Sequence, residues 1–235
     1  HLHGDHCFGL IGMISTFGLL GRTAKLHIHA PKALKPELER QIKFFTHDLG
    51  FEVVFYPVDT SLRQVVYEDR SIQVESIPLE HRVPCSGYLI TEKPSQPHIR
   101  RDMMEAYQIP NSQVNNIKAG ADWTTEDGEV IPNSRLANPA DPVRSYAYVS
   151  DTKYLPHLHE QLQGVSTLYH ESTYGEDKIL NCEKYCHSTA RQAAMVARDA
   201  GVGKLLLGHY SSRYDDETVL LDQAREVFEN SFLIS

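Results

Sequence analysis

An α/β layered fold is what this chain of 235 residues predicts. Short β-branched strands alternate with amphipathic helices along most of its length, and several strands are apolar throughout, as strands covered on both faces are. Composition agrees: 41% of the residues are hydrophobic and 23% are charged, the balance of a globular protein with one sizeable core.

The elements follow in order. "KLHIHAP" (25–31) alternates and ends on Pro31, which predicts a strand. "KPELERQIKFFTHDLG" (35–50) predicts a helix, with Pro36 near its start, Leu38, Ile42 and Phe45 at helical spacing, and Gly50 as its stop. "FEVVFYPV", "RQVVYED", "SIQVESIPLEH" and "SGYLITEK" are short strands. From 94 to 143 prolines, asparagines and Gly120 dominate and the strand period vanishes, so an inserted, flexible arm with a short helix at Arg100–Tyr107 is expected. "SYAYVSDT" (145–152) and "GVSTLYHEST" (164–173) resume the strands. "HSTARQAAMVARDAG" (187–201) is a helix capped by Ser188 and closed by Gly201. "KLLLGHYSS" (204–212) is a buried strand, and "DDETVLLDQAREVFEN" (215–230) a last amphipathic helix.

Several functions are disfavoured. No run of about 18 apolar residues is present, so no membrane span is expected. A formal charge of −8 speaks against a generally basic nucleic-acid binder, though not against a nucleic-acid enzyme whose positive charge comes from bound metal and a few local arginines. Four scattered cysteines, Cys7, Cys85, Cys182 and Cys186, match no disulfide framework and no common zinc ribbon, and a cytoplasmic protein with reduced thiols is expected. The chain opens on His rather than Met, so its natural start is expected upstream.

The opening "HLHGDH" carries the chemistry. In an extended segment His1 and His3 project to one side, and two imidazoles on one side can chelate one cation. Asp5 and His6, past a bend, can face a second. Imidazole nitrogen with some carboxylate suits zinc, while manganese or iron would accept the same donors. A lone H-x-H would be weak evidence; the full H-x-H-x-D-H order predicts metal binding. The pairs His27/His29 and His157/His159 also read H-x-H but have no Asp-His beside them, and are expected to be structural or surface residues.

That hexad resembles the signature of the metallo-β-lactamase superfamily. The resemblance implies an αβ/βα sandwich holding two zinc ions per subunit at one edge of its sheets, with further ligands at the ends of later strands. His81 in "IPLEHRVPCSGYLI", Asp151 in "YAYVSDT" and His209 in "LLLGHYSSRY" stand where those ligands are expected. By resemblance, His1, His3, His81 and Asp151 hold one ion; Asp5, His6, Asp151 and His209 hold the other, with Asp151 bridging. "LYHESTY" (168–174), "HSTARQAA" (187–194) and "GHYSSRY" (208–214) resemble the H-E-A-T, H-S-T and last-ligand segments of the ribonuclease Z family, the tRNA 3′-processing endonucleases. The likeness extends from His1 to Ser235 as a single domain, and to the short form of the family. The strands that precede the hexad in that family are absent from this chain, so one sheet is expected to lack its first strands. In the arm the family's Gly-Pro pair is replaced within "IPNSQ" by Asn111 and Ser112.

The resemblance implies a zinc-dependent endoribonuclease that removes 3′ trailers from precursor tRNA through a metal-bridging hydroxide and leaves a 3′-hydroxyl. It also implies a homodimer. Asp5 is expected as general base. His187, a non-ligand at a helix start, is assigned proton donation to the departing oxygen, oriented by Glu171. Because His170 and Glu171 alternate in a strand, only one can face the site, and Glu171 is preferred. Arg213 can fork onto a phosphate oxygen, or pair with Asp215 or Asp216. Arg100 and Arg101, in the one basic cluster of the arm ("HIRR", 98–101), are assigned to substrate or to a solvated helix start. From His98 to Arg144 the arm holds five Lys or Arg against seven Asp or Glu, so it is no general phosphate magnet. Trp123 and Tyr107 are read as hydrophobic anchors of the arm rather than base-stacking platforms. The alternatives are a dizinc hydrolase of the same superfamily acting on a small phosphodiester, and an idle metal- or RNA-binding module. The complete ligand set speaks against the idle module.

Overall fold

The computed structural model describes residues 1–46 and 48–234. They form two compact units, one built from His1–Thr91 and Ser145–Ser235, the other from Glu92–Arg144. The larger unit begins with α1 (Gly4–Cys7), α2 (Gly9–Leu19), β1 (Leu26–Pro31), α3 (Leu34–Phe45), β2 (Val53–Val58), β3 (Gln64–Glu68), β4 (Ile72–Leu79) and β5 (Cys85–Glu92). The smaller contains β6 (His98–Ile99), α4 (Arg101–Ala106), α5 (Val114–Lys118), β7 (Trp123–Thr124), β8 (Val130–Ile131), α6 (Asn133–Leu136) and β9 (Ala137–Asn138). The chain then returns through β10 (Ser145–Val149), α7 (Leu158–Gln161), β11 (Thr167–Glu171), α8 (Ile179–Tyr185), α9 (Ala190–Asp199), β12 (Lys204–Gly208), α10 (Thr218–Arg225) and β13 (Ser231–Leu233).

Among the described residues β1 and β2 form a two-stranded parallel sheet, and seven strands form a second sheet in the order β13-β12-β11-β10-β5-β4-β3. β10, β11, β12 and β13 run parallel, whereas β5 is antiparallel to β10. Parallel strands need both faces covered. Here Leu168 of β11 and Leu205 and Leu207 of β12 are buried with Ala193, Ala194 and Ala197 of α9 and Leu220 and Ala224 of α10. Alanines on the inward face of α9 let that helix lie close to the leucines, and each fully buried leucine contributes about 1.5–3 kcal/mol. A smaller core joins Ile14 of α2, Ile28 and Ala30 of β1 and Leu38 of α3.

The parallel register brings several functional positions to one edge. Val149 pairs with His170, His170 with Leu207, and Glu171 with Gly208. Residues at or just beyond the carboxyl ends of β10, β11 and β12 therefore emerge side by side. These are Asp151, the Glu171–Thr173 segment and His209.

Several boundaries differ from the sequence-based expectations. The hexad is not extended throughout: His3 is extended (φ −75°, ψ 148°) and caps the helical turn α1, which carries Asp5 and His6. The apolar stretch after it forms α2. Helix α3 ends at Phe45, ahead of Gly50, because Thr46 turns extended (φ −125°, ψ 133°) and its hydroxyl donates to the Ile42 carbonyl at 2.6 Å. Gly50, at φ +67°, serves the turn into β2 instead, while residue 47 of the predicted helix lies outside the described residues. Thr189, not Ser188, caps α9, in a reciprocal capping box with Gln192. The Ser188 hydroxyl donates to the Thr152 carbonyl at 2.8 Å.

The unit Glu92–Arg144 has a core of its own, in which Met104, Ile109, Ile117, Ile131, Leu136 and Ala137 are buried. Trp123 and Tyr107 pack against that core. Arg100 pairs with Asp102 at 2.8 Å and His98 with Asp141 at 3.1 Å.

Candidate metal centre

Asp151 is the hub of the site. Only 3% exposed, it turns Oδ2 towards Nε2 of His1 (3.6 Å), His6 (3.3 Å) and His81 (3.8 Å), and Oδ1 towards Nε2 of His209 (3.2 Å). His3 joins through its ring, 4.6 Å from that of His1 and 5.0 Å from that of His81. Asp5 lies with Oδ2 3.5 Å from Nε2 of His6. Donor atoms of His1, His3 and His81 come within 4.8 Å of one another, as do those of Asp5, His6 and His209. The site thus holds two trios with a buried carboxylate between them, drawn from residues 1–6, 81, 151 and 209.

Two observations show that this donor set suits divalent cations. Nε2 of His1 is buried with no hydrogen-bond partner, a costly state for a polar atom unless something coordinates it. Several rings are also fixed through their other nitrogen. His81 Nδ1–H donates to the Cys186 carbonyl at 2.9 Å, His209 Nδ1–H donates to the Thr173 hydroxyl at 2.8 Å, and His1 Nδ1 lies 3.7 Å from the sulfur of Cys85. Such partners hold the tautomer that leaves Nε2 free as a ligand. Burial pushes the His81 pKa down, outweighing the Cys186 carbonyl and Asp151 that act the other way, so its imidazole is neutral and ready to ligate. Burial likewise drives the Cys85 thiol up to about 11, so it stays protonated and donates to the Asp151 carbonyl at 3.3 Å.

His209 adopts the left-handed backbone conformation at φ +59°, an uncommon choice for a residue with a side chain. The residue before it is tied to the sheet edge. The Gly208 carbonyl accepts from both the backbone N–H (2.9 Å) and the hydroxyl (3.0 Å) of Ser172. A Cβ on Gly208 would meet the Tyr169 ring at 2.6 Å, so only glycine allows the close approach that sets up the turn.

Beside the trios lies a hydrogen-bonded carboxylate–imidazole pair, Glu171 and His187. Glu171 is fully buried. It accepts from the backbone N–H of Thr152 (2.9 Å) and Thr173 (3.2 Å), from the Thr173 hydroxyl (2.6 Å), and from Nδ1–H of His187 (2.8 Å). Burial opposes the charged form of His187, but the hydrogen bond and charge of Glu171, with the charge of Asp151, outweigh it and hold its pKa above the ordinary histidine value. The His187 ring stacks 5.4 Å from that of His209 and lies 5.2 Å from that of His81. His170 points the other way, buried, with Nδ1–H donating to the Glu171 carbonyl at 2.7 Å.

Arg213 forms no ion pair with Asp215 or Asp216; its Nη1 donates to the Tyr174 hydroxyl at 3.1 Å, and Tyr174 stands edge-on to His187 at 6.2 Å. The arm cations Arg100 and Arg101 belong to the other unit. Sequence reasoning missed Thr173, Cys85 and the Cys186 carbonyl. Thr173 was detectable, because it stands two residues beyond Glu171 in the H-E-S-T block and so shares its side of an extended segment. The contacts of Cys85 and Cys186 depend on folding and left no local signal.

Fold and site together define a metallo-β-lactamase-type metallohydrolase. Solved structures bear out the fold: the chain superposes on human tRNase Z, short form, with a TM-score of 0.65 at 19% identity, covering 100% of this chain and 74% of that one. A metallo-β-lactamase fold protein from Bacillus subtilis gives 0.62 at 16% identity, covering 100% and 72%. No family model matches the chain. Among curated proteins it is 53% identical over 233 residues to ribonuclease Z of Bacteroides fragilis strain YCH46, covering 99% of this chain and 77% of that one. It is 49% identical to ribonuclease Z of Bacteroides thetaiotaomicron, covering 99% and 74%. The chain belongs to the ribonuclease Z family and is an endoribonuclease of that family.

Proposed function

We propose that this chain removes 3′ trailers from precursor tRNA with two zinc ions, one held by His1, His3 and His81, the other by Asp5, His6 and His209, and Asp151 shared between them. The observation that carries this reading is the buried Asp151 carboxylate faced by four imidazole Nε2 atoms, with a fifth histidine, His187, held ready beside it by Glu171. Bound zinc acidifies water to a nucleophile near neutral pH and neutralises the charge that builds on the phosphate.

The remaining tasks fall to side chains. Asp5, with a largely exposed carboxylate, accepts the proton of the attacking water and orients it. His187 keeps its proton on the Nε2 side of the ring, because Nδ1–H is committed to Glu171. That proton passes to the departing 3′-oxygen, leaving a 3′-hydroxyl on the tRNA and a 5′-phosphate on the trailer. Arg213, steadied by Tyr174, meets a phosphate oxygen. The arm, Glu92–Arg144, grips tRNA, with Arg101 the more available of its two basic candidates because Arg100 is engaged by Asp102.

A homodimer is the assembly that the family resemblance implies, and Phe8, Leu19, Leu20 and Phe44, each more than 70% exposed, are candidates for its contact. Substituting Leu20→Glu with Phe44→Glu should convert the dimer to a monomer in sedimentation; an unchanged oligomer would place the contact elsewhere. All four thiols are free, which supports a reducing, cytoplasmic setting, and no helix among the described residues is long and apolar enough to cross a membrane.

Incubation of the zinc-loaded protein with precursor tRNA and, separately, with a chromogenic phosphodiester tests the substrate. Trailer removal that leaves a 3′-hydroxyl is expected. Efficient turnover of the small ester with the precursor left intact would select the small-molecule hydrolase instead.

A further inference from the structure

Arg82 follows the ligand His81 directly, is exposed, and makes no ion pair among the described residues. Its guanidinium carbon lies 5.6 Å from the centre of the Tyr185 ring. Lys184 is exposed and also lacks a carboxylate partner among the described residues, and its Nζ lies 5.1 Å from the centre of the same ring. Both distances are within cation–π range. The hydrogen bond from His81 Nδ1–H to the Cys186 carbonyl, 2.9 Å long, joins the two segments that bear these residues. The cluster is therefore fixed between a metal ligand on one side and His187, two residues beyond Tyr185, on the other.

Two like charges on one ring repel unless an anion lies near both. The carboxylate of Glu80, next to His81, is taken by Lys153, so it does not supply that anion. The ring limits the motion of two long side chains and so lowers the entropy lost when they grip a ligand. The arrangement suits a phosphate oxygen pair better than a base, because the ring that could stack with a base is already engaged by cations. Arg213 is likewise held by a tyrosine beside His187, there through a hydrogen bond to the Tyr174 hydroxyl.

We propose that Arg82 and Lys184, held by Tyr185, form a clamp for a backbone phosphate of the substrate RNA next to the scissile linkage. The inference rests on the reading of the substrate as RNA and assigns it a contact outside the arm and outside the metal trios.

The test compares the zinc-loaded wild-type enzyme with Arg82→Ala, Lys184→Ala, the double variant and Arg82→Lys, using precursor tRNA over a range of salt concentrations. One lost charge-assisted contact should raise KM about 10-fold in Arg82→Ala, with the effect on KM rather than kcat. The log–log salt dependence of binding should flatten by about 0.7, one single-stranded phosphate, in the double variant. Arg82→Lys should recover most of the KM. If the wild type processes the precursor while KM and salt slope stay unchanged in the double variant, the clamp is wrong. A fall in kcat at unchanged KM also overturns it, since the cations would then act on the chemistry or the fold. A wild-type enzyme that leaves the precursor intact sinks the underlying reading instead, so the two failures are separable.

Discussion

At the scale of single residues, the centre depends on groups one layer behind the ligands. The Thr173 hydroxyl donates to Glu171 and accepts from His209 Nδ1–H, so one hydroxyl orients both a ligand histidine and the carboxylate behind His187. Thr173→Val should weaken zinc binding about 10- to 100-fold, the usual cost of losing such a partner, whereas Thr173→Ser should restore it; competition with a chromophoric chelator measures both. His187→Ala should lower kcat by about 10²–10⁴-fold, the range for a general acid. The sign of its pH dependence follows from Glu171. Burial opposes the charge on His187, but Glu171 outweighs it and raises the pKa above the ordinary histidine value, so the imidazolium persists to higher pH than that of a free histidine and is lost as pH rises. Glu171→Gln removes that charge, so the alkaline limb of the kcat profile should move to lower pH. An unmoved limb would mean that another group supplies the proton.

At the scale of elements, what the sequence made legible was periodic and what it hid was tertiary. β12 was readable because its leucine run is that of a strand covered on both faces, β10 and β11 because tyrosine, valine and threonine favour strands, and α9 because its alanines and its closing Gly201 follow helical rules. His81, Asp151 and His209, which the structure gathers in one site, were singled out by the order of motifs, since nothing local distinguishes such a histidine from an ordinary buried one. Helix α2 went unread: glycines at 9, 12 and 18 dilute its helical signal, and only Ile14 is buried. Thr189 competed with Ser188 as a cap, and the outcome was decided by Gln192, which answers Thr189 but not Ser188. Thr189→Ala should therefore destabilise by about 1 kcal/mol and lower Tm, while Gln192→Ala should reproduce part of that loss. The arm read as loop because its strands are two residues long, yet it has a core. Leu136→Ala, at a fully buried site, should cost about 2–5 kcal/mol. Amide exchange should then rise across residues 92–144, with metal content unchanged if that unit folds on its own core.

At the scale of the whole molecule, the metal centre closes contacts between distant parts of the chain. Residues 1–6 meet residues 81, 151 and 209 through Asp151, and five histidines with two carboxylates share that volume. Without cations, Asp151 must be compensated by weak contacts of 3.2–3.8 Å to imidazoles, and the orphaned Nε2 of His1 stays unpaired. A cation bound only by the folded chain adds stability in proportion to the logarithm of its concentration over Kd, about 2.7 kcal/mol at a hundredfold excess. Chelation should therefore lower Tm and should do so unevenly. Helices α1 and α2, whose only fully buried side chain is Ile14, should lose amide protection first. The β10–β11–β12 core, packed under α9 and α10, should lose little. Added zinc should restore both Tm and the protection of residues 4–19, and the restoration should fail in Asp151→Ala, which removes the carboxylate both trios share. Equal protection of α1 and α2 with and without metal would mean that the centre binds cations without tying these segments together.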